Sequence, residues 1–164
     1  MELIRIAGIV DDSIVDGPGI RLTVFFQGCL HNCDGCHNPT THDINGGYLV
    51  SVDEIISKIL SNPLLSGVTF SGGEPLLQID NCINLAKKIK EMNLNIILYT
   101  GYNFEEIIKL QNGKELLKYI DYVIDGKYIK EKRSLELKYR GSSNQRIINV
   151  NRTLLSNEII IKEL

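Results

Sequence analysis

Three cysteines lie close together in this chain, at Cys29, Cys33 and Cys36, separated by three and two residues. Thiolates on one short segment can all turn toward a single soft metal centre. A [4Fe–4S] cluster normally takes four thiolates, so three would leave one iron without a protein ligand and open to a substrate. The spacing therefore predicts a metal site, and an iron–sulfur cluster with one open iron is its leading interpretation.

Structural zinc is the alternative that the spacing leaves open. Zinc would take the three clustered cysteines and a fourth ligand, for which the chain offers His31, His37 or Cys82. Cys82 falls on the apolar face of a predicted helix, so we expect it in the core. His31 and His37 could each be ordinary loop histidines. Clustered cysteines otherwise favour metal or redox chemistry over a disulfide framework.

Three other segments of chemical interest each follow a predicted strand. Residues 71–75 read Ser-Gly-Gly-Glu-Pro, and their glycines let backbone carbonyls approach a ligand ammonium group closely. A sharp strand-to-helix turn explains these residues equally well. Residues 100–102 end the next strand, where they could line a site or simply precede a helix capped by Asn103. Residues 125–127 follow the strand after that.

Strands and helices alternate along the chain and must position these segments. Apolar and β-branched runs predict strands over residues 3–10, 21–27, 67–70, 95–99, 120–124, 145–150 and 158–162. Helical spacing and capping residues predict helices over residues 51–60, 78–92, 103–110 and 114–119. Residues 28–47 form a long loop that contains all three clustered cysteines, and loops of this length are usually functional or disordered.

The alternation of elements predicts an α/β fold with right-handed crossovers between parallel strands. About five strands in the repeating part are too few for a closed eight-stranded barrel. We therefore expect residues 1–164 to form one domain, a small incomplete β/α barrel with a mostly parallel sheet. Because loops at the carboxyl ends of parallel strands build the sites of such folds, the four segments should meet at one edge.

Length and composition exclude several classes of protein. The 164 residues are 43% hydrophobic and 23% charged, which is ordinary for a soluble globular domain. The formal net charge of −2 argues against a general nucleic-acid binder. No apolar run approaches the roughly 18–20 residues that cross a membrane, and residues 1–6 lack the pattern of a signal peptide. We expect a cytoplasmic protein that binds neither nucleic acid nor membrane.

Several motifs in this order resemble the radical S-adenosylmethionine superfamily, whose cysteine spacing the chain matches. Residues 16–21 (Asp-Gly-Pro-Gly-Ile-Arg), 25–29 (Phe-Phe-Gln-Gly-Cys) and 36–38 (Cys-His-Asn) resemble its glycyl-radical-enzyme activases. Residues 139–148 (Tyr-Arg-Gly-Ser-Ser-Asn-Gln-Arg-Ile-Ile) and the short length resemble activases of anaerobic (class III) ribonucleotide reductase. Pyruvate formate-lyase activases are the alternative and are generally longer. The resemblance covers about residues 9–150.

The resemblance implies an oxidoreductase that cleaves S-adenosylmethionine reductively at one [4Fe–4S] cluster held by Cys29, Cys33 and Cys36. The resulting 5′-deoxyadenosyl radical would take hydrogen from a glycine of the large subunit of anaerobic ribonucleotide reductase, leaving a glycyl radical there. The cofactors carry this chemistry, so no side chain of the chain is required as an acid, base or nucleophile. An electron donor such as flavodoxin is also implied, and a homodimer is left open.

The resemblance further implies which residues bind the cofactors. Their contacts would come from Gly35, Cys36, His37, Gly72, Gly73, Glu74, Thr100 and Gly101. Gly73 would hold the methionine amino group, while Glu74 would chiefly order its turn. Gly35 departs from the superfamily, where the residue before the third cysteine is commonly aromatic, so a stacking contact from this side chain is absent.

Candidate contacts to the partner protein are Asp16, Arg140 and Arg146. Asp16 could accept backbone hydrogen bonds from an entering loop, although stabilising the turn of residues 16–19 is its default role. Residues 125–146 contain seven Lys or Arg against three acids. This run is either a solvated face or a docking surface for an acidic partner, in which Arg140 and Arg146 could bind carboxylates with two hydrogen bonds each.

Overall fold

A computed structural model describes residues 2–162 and 164 of the chain. Its strands are β1 (Leu3–Ser13), β2 (Arg21–Phe26), β3 (Tyr48–Ser51), β4 (Gly67–Gly72), β5 (Asn95–Tyr99), β6 (Tyr122–Asp125) and β7 (Arg146–Asn149). Its helices are α1 (Val52–Leu60), α2 (Ile79–Lys90), α3 (Phe104–Lys109), α4 (Gly113–Leu117) and α5 (Val150–Ser156). No helix among these described residues has the length and apolar character to cross a membrane.

The seven strands form one sheet in the order β3-β1-β2-β4-β5-β6-β7. The neighbours β2, β4, β5 and β6 run parallel to one another. β1 is antiparallel to β2 and β3 is antiparallel to β1, so β3 points in the same direction as the central four strands. Five of the seven strands therefore share one direction, and the sheet does not close, since β3 and β7 stand at opposite ends of the strand order. This confirms the predicted α/β fold with a mostly parallel, incomplete barrel.

The two faces of the sheet pack against different surroundings because neighbouring strand residues point to opposite faces. On β5, Ile96 and Leu98 belong to the main core, which includes the buried residues of α1 to α4. Ile97 between them packs in a smaller cluster with Ile124 and Ile147. This face of the sheet is therefore covered by far fewer buried apolar residues than the face that carries the helices.

The connection from β6 to β7 differs from the others. Residues 126–145 contain a single 3-10 turn (Lys130–Lys132) and no α-helix. A parallel neighbour requires a crossover, usually through a helix, and without one the chain returns antiparallel to β6. The connection instead forms an isolated bridge between Arg133 and Ser142 and lies beside the strand ends.

The structure differs from the secondary structure predicted from sequence at three places. β3 was not predicted, because four residues directly before a helix give too short a pattern to recognise. α5 was also missed, since four of its seven residues (Val150, Asn151, Thr153 and Ser156) are weak helix formers and its first turn depends on the Asn149 side chain, which accepts a hydrogen bond from Arg152 N. The strand predicted over residues 158–162 is reduced to one bridge between Ile148 and Ile161.

The six-residue helix α3 provides a test of local stability. The Asn103 side chain accepts a hydrogen bond from Glu106 N, and the Glu106 side chain accepts one from Asn103 N, at 3.0 Å each. We expect Asn103→Ala to lower the free energy of unfolding by about 1 kcal/mol, or the Tm by about 2–4 °C. Denaturant unfolding of the cluster-free protein would measure this.

Asn151→Ala is the matched control. Asn151 is exposed and lies within α5 rather than at its cap. Its replacement should change the free energy of unfolding by less than about 0.5 kcal/mol. Equal losses in the two variants would show that the capping box contributes nothing specific.

Candidate functional site

A cavity of about 380 Å³ lies at the carboxyl ends of the four parallel strands. Each strand contributes through the loop that follows it: Cys29 after β2, Gly73 after β4, Thr100 after β5 and Gly126 after β6. The four segments that the sequence predicted to converge therefore share one space, as the parallel strand order requires. The connection between β6 and β7 also lines the cavity, with Tyr128, Tyr139, Arg140, Gly141 and Gln145.

Cys29, Cys33 and Cys36 all line this cavity, and each is a free, half-buried thiol. Asn38 N donates a hydrogen bond to the Cys36 sulfur at 3.4 Å, and Cys36 N donates to Cys33 O at 3.3 Å. Burial is the largest cause that raises the pKa of Cys29, and the charges of Glu74, Cys33 and Cys36 raise it further.

The donor chemistry of this wall fits a thiolate-ligated cluster. Three soft sulfur donors face a space large enough for a group between them, and a backbone N–H already points at one sulfur. Within residues 2–162 and 164, no three His, Cys, Asp or Glu side chains are gathered closely enough to hold a single metal ion. The three thiols border one open space, and thiolates are the ligands that iron–sulfur clusters take.

Cys82 does not take part in this wall. Its side chain is fully buried on α2, and its sulfur donates to Pro75 O at 3.3 Å. Burial raises the pKa of this thiol well above its usual range. The prediction that Cys82 belongs to the core is confirmed, and it cannot serve as a fourth zinc ligand in this fold.

Gly72 and Gly73 are required by a close approach of two backbones. Gly72 has a φ of +127°, and a Cβ on it would collide with the Phe26 carbonyl. A Cβ on Gly73 would lie 2.5 Å from Gly28 O. Gly73 N donates to Phe26 O at 3.2 Å and Glu74 N to Gly28 O at 2.7 Å, so the end of β4 is fastened to the start of the cysteine loop. Both glycines also line the cavity.

Glu74 is 1% exposed and holds the loops together from behind the cavity wall. Its carboxylate accepts hydrogen bonds from Thr100 Oγ1 (2.9 Å to each oxygen), Gly101 N (2.8 Å), Leu76 N (3.0 Å) and His31 Nε2 (2.6 Å). It borders a smaller cavity beside Leu30, not the one that the cysteines line. The structure therefore supports the ordering role expected of Glu74 more than the direct cofactor contact.

His31 is the residue whose place the sequence did not reveal. It is separated from Glu74 by 43 positions, and nothing local marks the two as partners. Only the position of His31 inside the cysteine spacing hinted at a role. The structure makes it neither a free loop side chain nor part of a closed metal site.

The predicted residues Gly35 and His37 both meet the β6–β7 connection. Gly35 has a φ of +71°, and the Lys130 side chain lies 3.2 Å from where its Cβ would be. The His37 ring packs on Tyr128 with 4.7 Å between ring centroids. Tyr139 in the same connection has a φ of +62°, which is rare for a bulky residue and marks a constrained segment. The connection therefore packs directly on the cysteine loop.

Asp16 also lines the cavity, and the sheet fixes its backbone. Asp16 O accepts from Thr69 Oγ1 at 2.9 Å, and the same hydroxyl accepts from Arg21 Nε at 2.7 Å. Arg21 is fully buried, and burial lowers its pKa to about 10. The Asp16 carboxylate accepts a hydrogen bond from Ser13 Oγ, which fits the expected turn-stabilising role.

The two candidate arginines have different surroundings. Arg146 binds the buried Asp125 through Nε (3.1 Å) and Nη2 (2.6 Å) and also contacts Glu105 at 2.6 Å. Its hydrogen bond to Asp125 is the main cause that raises the pKa of Arg146. The contact between Arg146 and Asp125 joins β7 to β6. Because Arg146 already binds two carboxylates of its own chain, the structure argues against the predicted contact of Arg146 with the partner. Arg140 lines the cavity, donates to Gln145 O at 3.1 Å and has a buried Nε without a hydrogen-bond partner among the described residues.

A family model and several known proteins match most of this chain. A family model described as a 4Fe-4S single cluster domain matches residues 15–148. The anaerobic ribonucleoside-triphosphate reductase-activating protein of Enterobacteria phage T4 is 39% identical over 140 residues, which are 81% of this chain and 86% of that protein. The protein of that name from Escherichia coli K12 is 32% identical over 80% of this chain and 90% of its own length.

Two further proteins match this chain over only about half of their own length. The pyruvate formate-lyase-activating enzyme of Clostridium pasteurianum is 44% identical over 118 residues, which are 66% of this chain and 50% of that enzyme. The crystal structure of QueE from Escherichia coli matches with a TM-score of 0.46 and 15% identity over 60% of this chain and 53% of that chain. By the family model and the relatives covered over most of their length, the chain belongs to the 4Fe-4S single cluster domain family and, within it, to the anaerobic ribonucleoside-triphosphate reductase-activating proteins.

Proposed function

We propose that this chain activates an anaerobic ribonucleotide reductase by reductive cleavage of S-adenosylmethionine. The observation that carries the proposal is the shared cavity, in which the three clustered thiols face the loops after β4, β5 and β6. Membership in a family of reductase-activating proteins supports it. The proposal assigns the chain an enzymatic role as an oxidoreductase that modifies another protein.

Cys29, Cys33 and Cys36 would hold one [4Fe–4S] cluster through three thiolates. When bound, the cluster supplies the single electron that cleaves S-adenosylmethionine and yields the 5′-deoxyadenosyl radical, which takes a hydrogen atom from a glycine of the reductase. A flavodoxin-like protein is the proposed electron donor. The Asn38 N–H that points at the Cys36 sulfur would stabilise the thiolate form of this ligand.

The remaining cavity residues bind and orient the substrate. Gly72 and Gly73 have no side chains, so backbone carbonyls of this turn are available to the methionine ammonium group. Thr100 and Gly101, held from behind by Glu74, would form the wall beside the ribose or methionine. Gly35 and His37 would contribute contacts from the cysteine loop.

Asp16 and Arg140 are the proposed contacts to the entering glycine loop. Both line the same cavity as the cysteines, so an entering backbone meets a carboxylate acceptor and a guanidinium donor. Radical transfer requires near-contact between the reacting atoms, roughly 3–3.5 Å apart. The cavity is open to solvent, which supports the proposal that a polypeptide loop of the reductase enters it.

A pyruvate formate-lyase-type activase is the second candidate, favoured by the 44% identity to such an enzyme. The chain covers 50% of that relative but 86% and 90% of two reductase-activating proteins. The match in length therefore favours the reductase. A non-catalytic zinc module is disfavoured because the matching family is described by a 4Fe-4S cluster.

The partner can be identified by electron paramagnetic resonance. We expect the reconstituted protein, mixed anaerobically with a reductant and S-adenosylmethionine, to give a glycyl radical doublet with an anaerobic ribonucleotide reductase. Pyruvate formate-lyase should give none, and omitting S-adenosylmethionine should remove the signal. A doublet with pyruvate formate-lyase alone would assign the chain to the second candidate.

The cysteine ligands are tested by single substitutions. Cys29→Ala, Cys33→Ala and Cys36→Ala should each abolish cleavage of S-adenosylmethionine, because each removes one of only three thiolates. Cys82→Ala is the control and should keep cleavage, since its sulfur lies in the core. Metal analysis of the wild type should give about four irons per chain, and one tightly bound zinc without iron would exclude the cluster.

Docking of the partner is proposed on the basic segment, which consists of Lys127, Lys130, Lys132, Arg133 and Lys138. All five are exposed, and none forms an ion pair within the part of the chain that the structure describes. Lys130 lies against Gly35, so the segment borders the cysteine loop. Leu135 in the same connection is 98% exposed and offers an apolar anchor. An acidic, partly apolar surface on the reductase would complement this segment.

Charge reversal tests the basic segment. The double variant K132E/R133E should lower the association rate with the reductase about tenfold at low salt, and the difference should shrink as salt rises. The control K58E/K88E makes the same change in net charge on α1 and α2. Equal effects in the two double variants, measured by surface-based kinetics, would show that net charge and not this segment matters.

A further inference from the structure

His31 has contacts that the proposed function does not use. It lies midway between Cys29 and Cys33, and its Nε2 is 2.6 Å from Glu74 Oε1. The carboxylate can only accept, so the imidazole N–H donates. The side chains are 10% and 1% exposed, and the His31 ring packs edge-on against Tyr102 at 4.8 Å between centroids. A histidine inside the cysteine spacing is thus held rigidly by partners outside it.

Glu74 extends this contact to a second loop. The carboxylate that binds His31 also accepts hydrogen bonds from Thr100 Oγ1 and Gly101 N, both after β5. Thr100 and Gly101 line the same cavity as the three cysteines. The chain of contacts from His31 through Glu74 to Gly101 therefore links two walls of one cavity.

Gly101 gives an independent sign of the same packing. A Cβ at this position would lie 2.5 Å from His31 Cδ2 and 2.6 Å from His31 Nε2. The φ of Gly101 lies outside the left-handed region, so its backbone does not itself demand glycine. The His31 ring occupies the space that a side chain at position 101 would need.

We propose that His31 is a positioning residue that sets the separation between the cysteine wall and the wall formed by Thr100 and Gly101. The inference rests on the proposed function, since the separation matters because S-adenosylmethionine would bind between these walls. Loss of the ring would leave the three thiolates in place but allow the cysteine loop to shift relative to Gly101. The substrate would then bind more weakly and in a different orientation at the cluster.

The experiment compares His31→Ala, His31→Gln and Leu30→Ala in anaerobically reconstituted protein. His31→Ala should keep the iron content of the wild type, raise the dissociation constant for S-adenosylmethionine about tenfold, and change the paramagnetic resonance spectrum that the reduced cluster shows with S-adenosylmethionine. His31→Gln should restore most of the affinity, because its amide N–H can reach Glu74. Leu30 is 73% exposed in the same loop, and its replacement should leave the affinity unchanged.

Gly101→Ala tests the same contact from the other side. In the wild-type background the new methyl group should displace the His31 ring and weaken S-adenosylmethionine binding to a similar extent. In the His31→Ala background the space is free, so the added methyl group should weaken binding much less. A full additional loss in the double variant would overturn the inference.

Two other results would also overturn it. His31→Ala could bind S-adenosylmethionine as the wild type does, or it could lose iron together with thermal stability of the cluster-free protein, which would make His31 a structural residue only. Iron content and S-adenosylmethionine binding of the wild-type protein distinguish a failure of this inference from a failure of the proposed function. If the wild type itself neither holds iron nor binds S-adenosylmethionine, the proposed function fails, whereas a normal wild type with unaffected His31 variants refutes the positioning role alone.

Discussion

A buried carboxylate needs hydrogen-bond donors from the protein in place of water. Glu74 is such a carboxylate, and it lies among the loops that form the site. Its donors come from the cysteine loop after β2, from its own turn after β4 and from the loop after β5. The loop after β5 reaches both oxygens through Thr100 Oγ1, and His31 Nε2 and Leu76 N add one donor each from the other two segments. Because an unsatisfied charge at this depth is costly, the three loops are held together whenever the carboxylate is buried. The hydrogen bonds of this one carboxylate therefore fix how the three loops lie relative to one another.

Parallel strand order supplies the other half of the arrangement. The carboxyl ends of β2, β4, β5 and β6 lie along one edge, so short loops suffice to bring their residues together. The antiparallel return of β7 adds a segment without a helix, and this segment packs on the cysteine loop through Tyr128 and Lys130. A sheet that does not close thus gains a wall that a complete barrel would take from further strands.

Charge is distributed unevenly over this end of the molecule. Arg21 and Arg146 both bind groups within the fold. Arg21 donates to backbone and side-chain oxygens, and Arg146 donates to Asp125 and Glu105. Arg140 and the basic segment keep their charge facing the cavity or solvent. Cations that complete the fold are therefore distinct from those available to a partner protein.

The sequence by itself was enough to predict a metal site at the three clustered cysteines, the core strands and the helices with strong caps. Each of these features depends on residues within a few positions of one another. Cys82 was placed in the core by helical periodicity alone. The pairing of His31 with Glu74 and the use of Arg146 by Asp125 join residues 43 and 21 positions apart, and no local pattern encodes them. Only the tertiary structure decided these, since a buried charge takes whichever donors the folded chain brings to it.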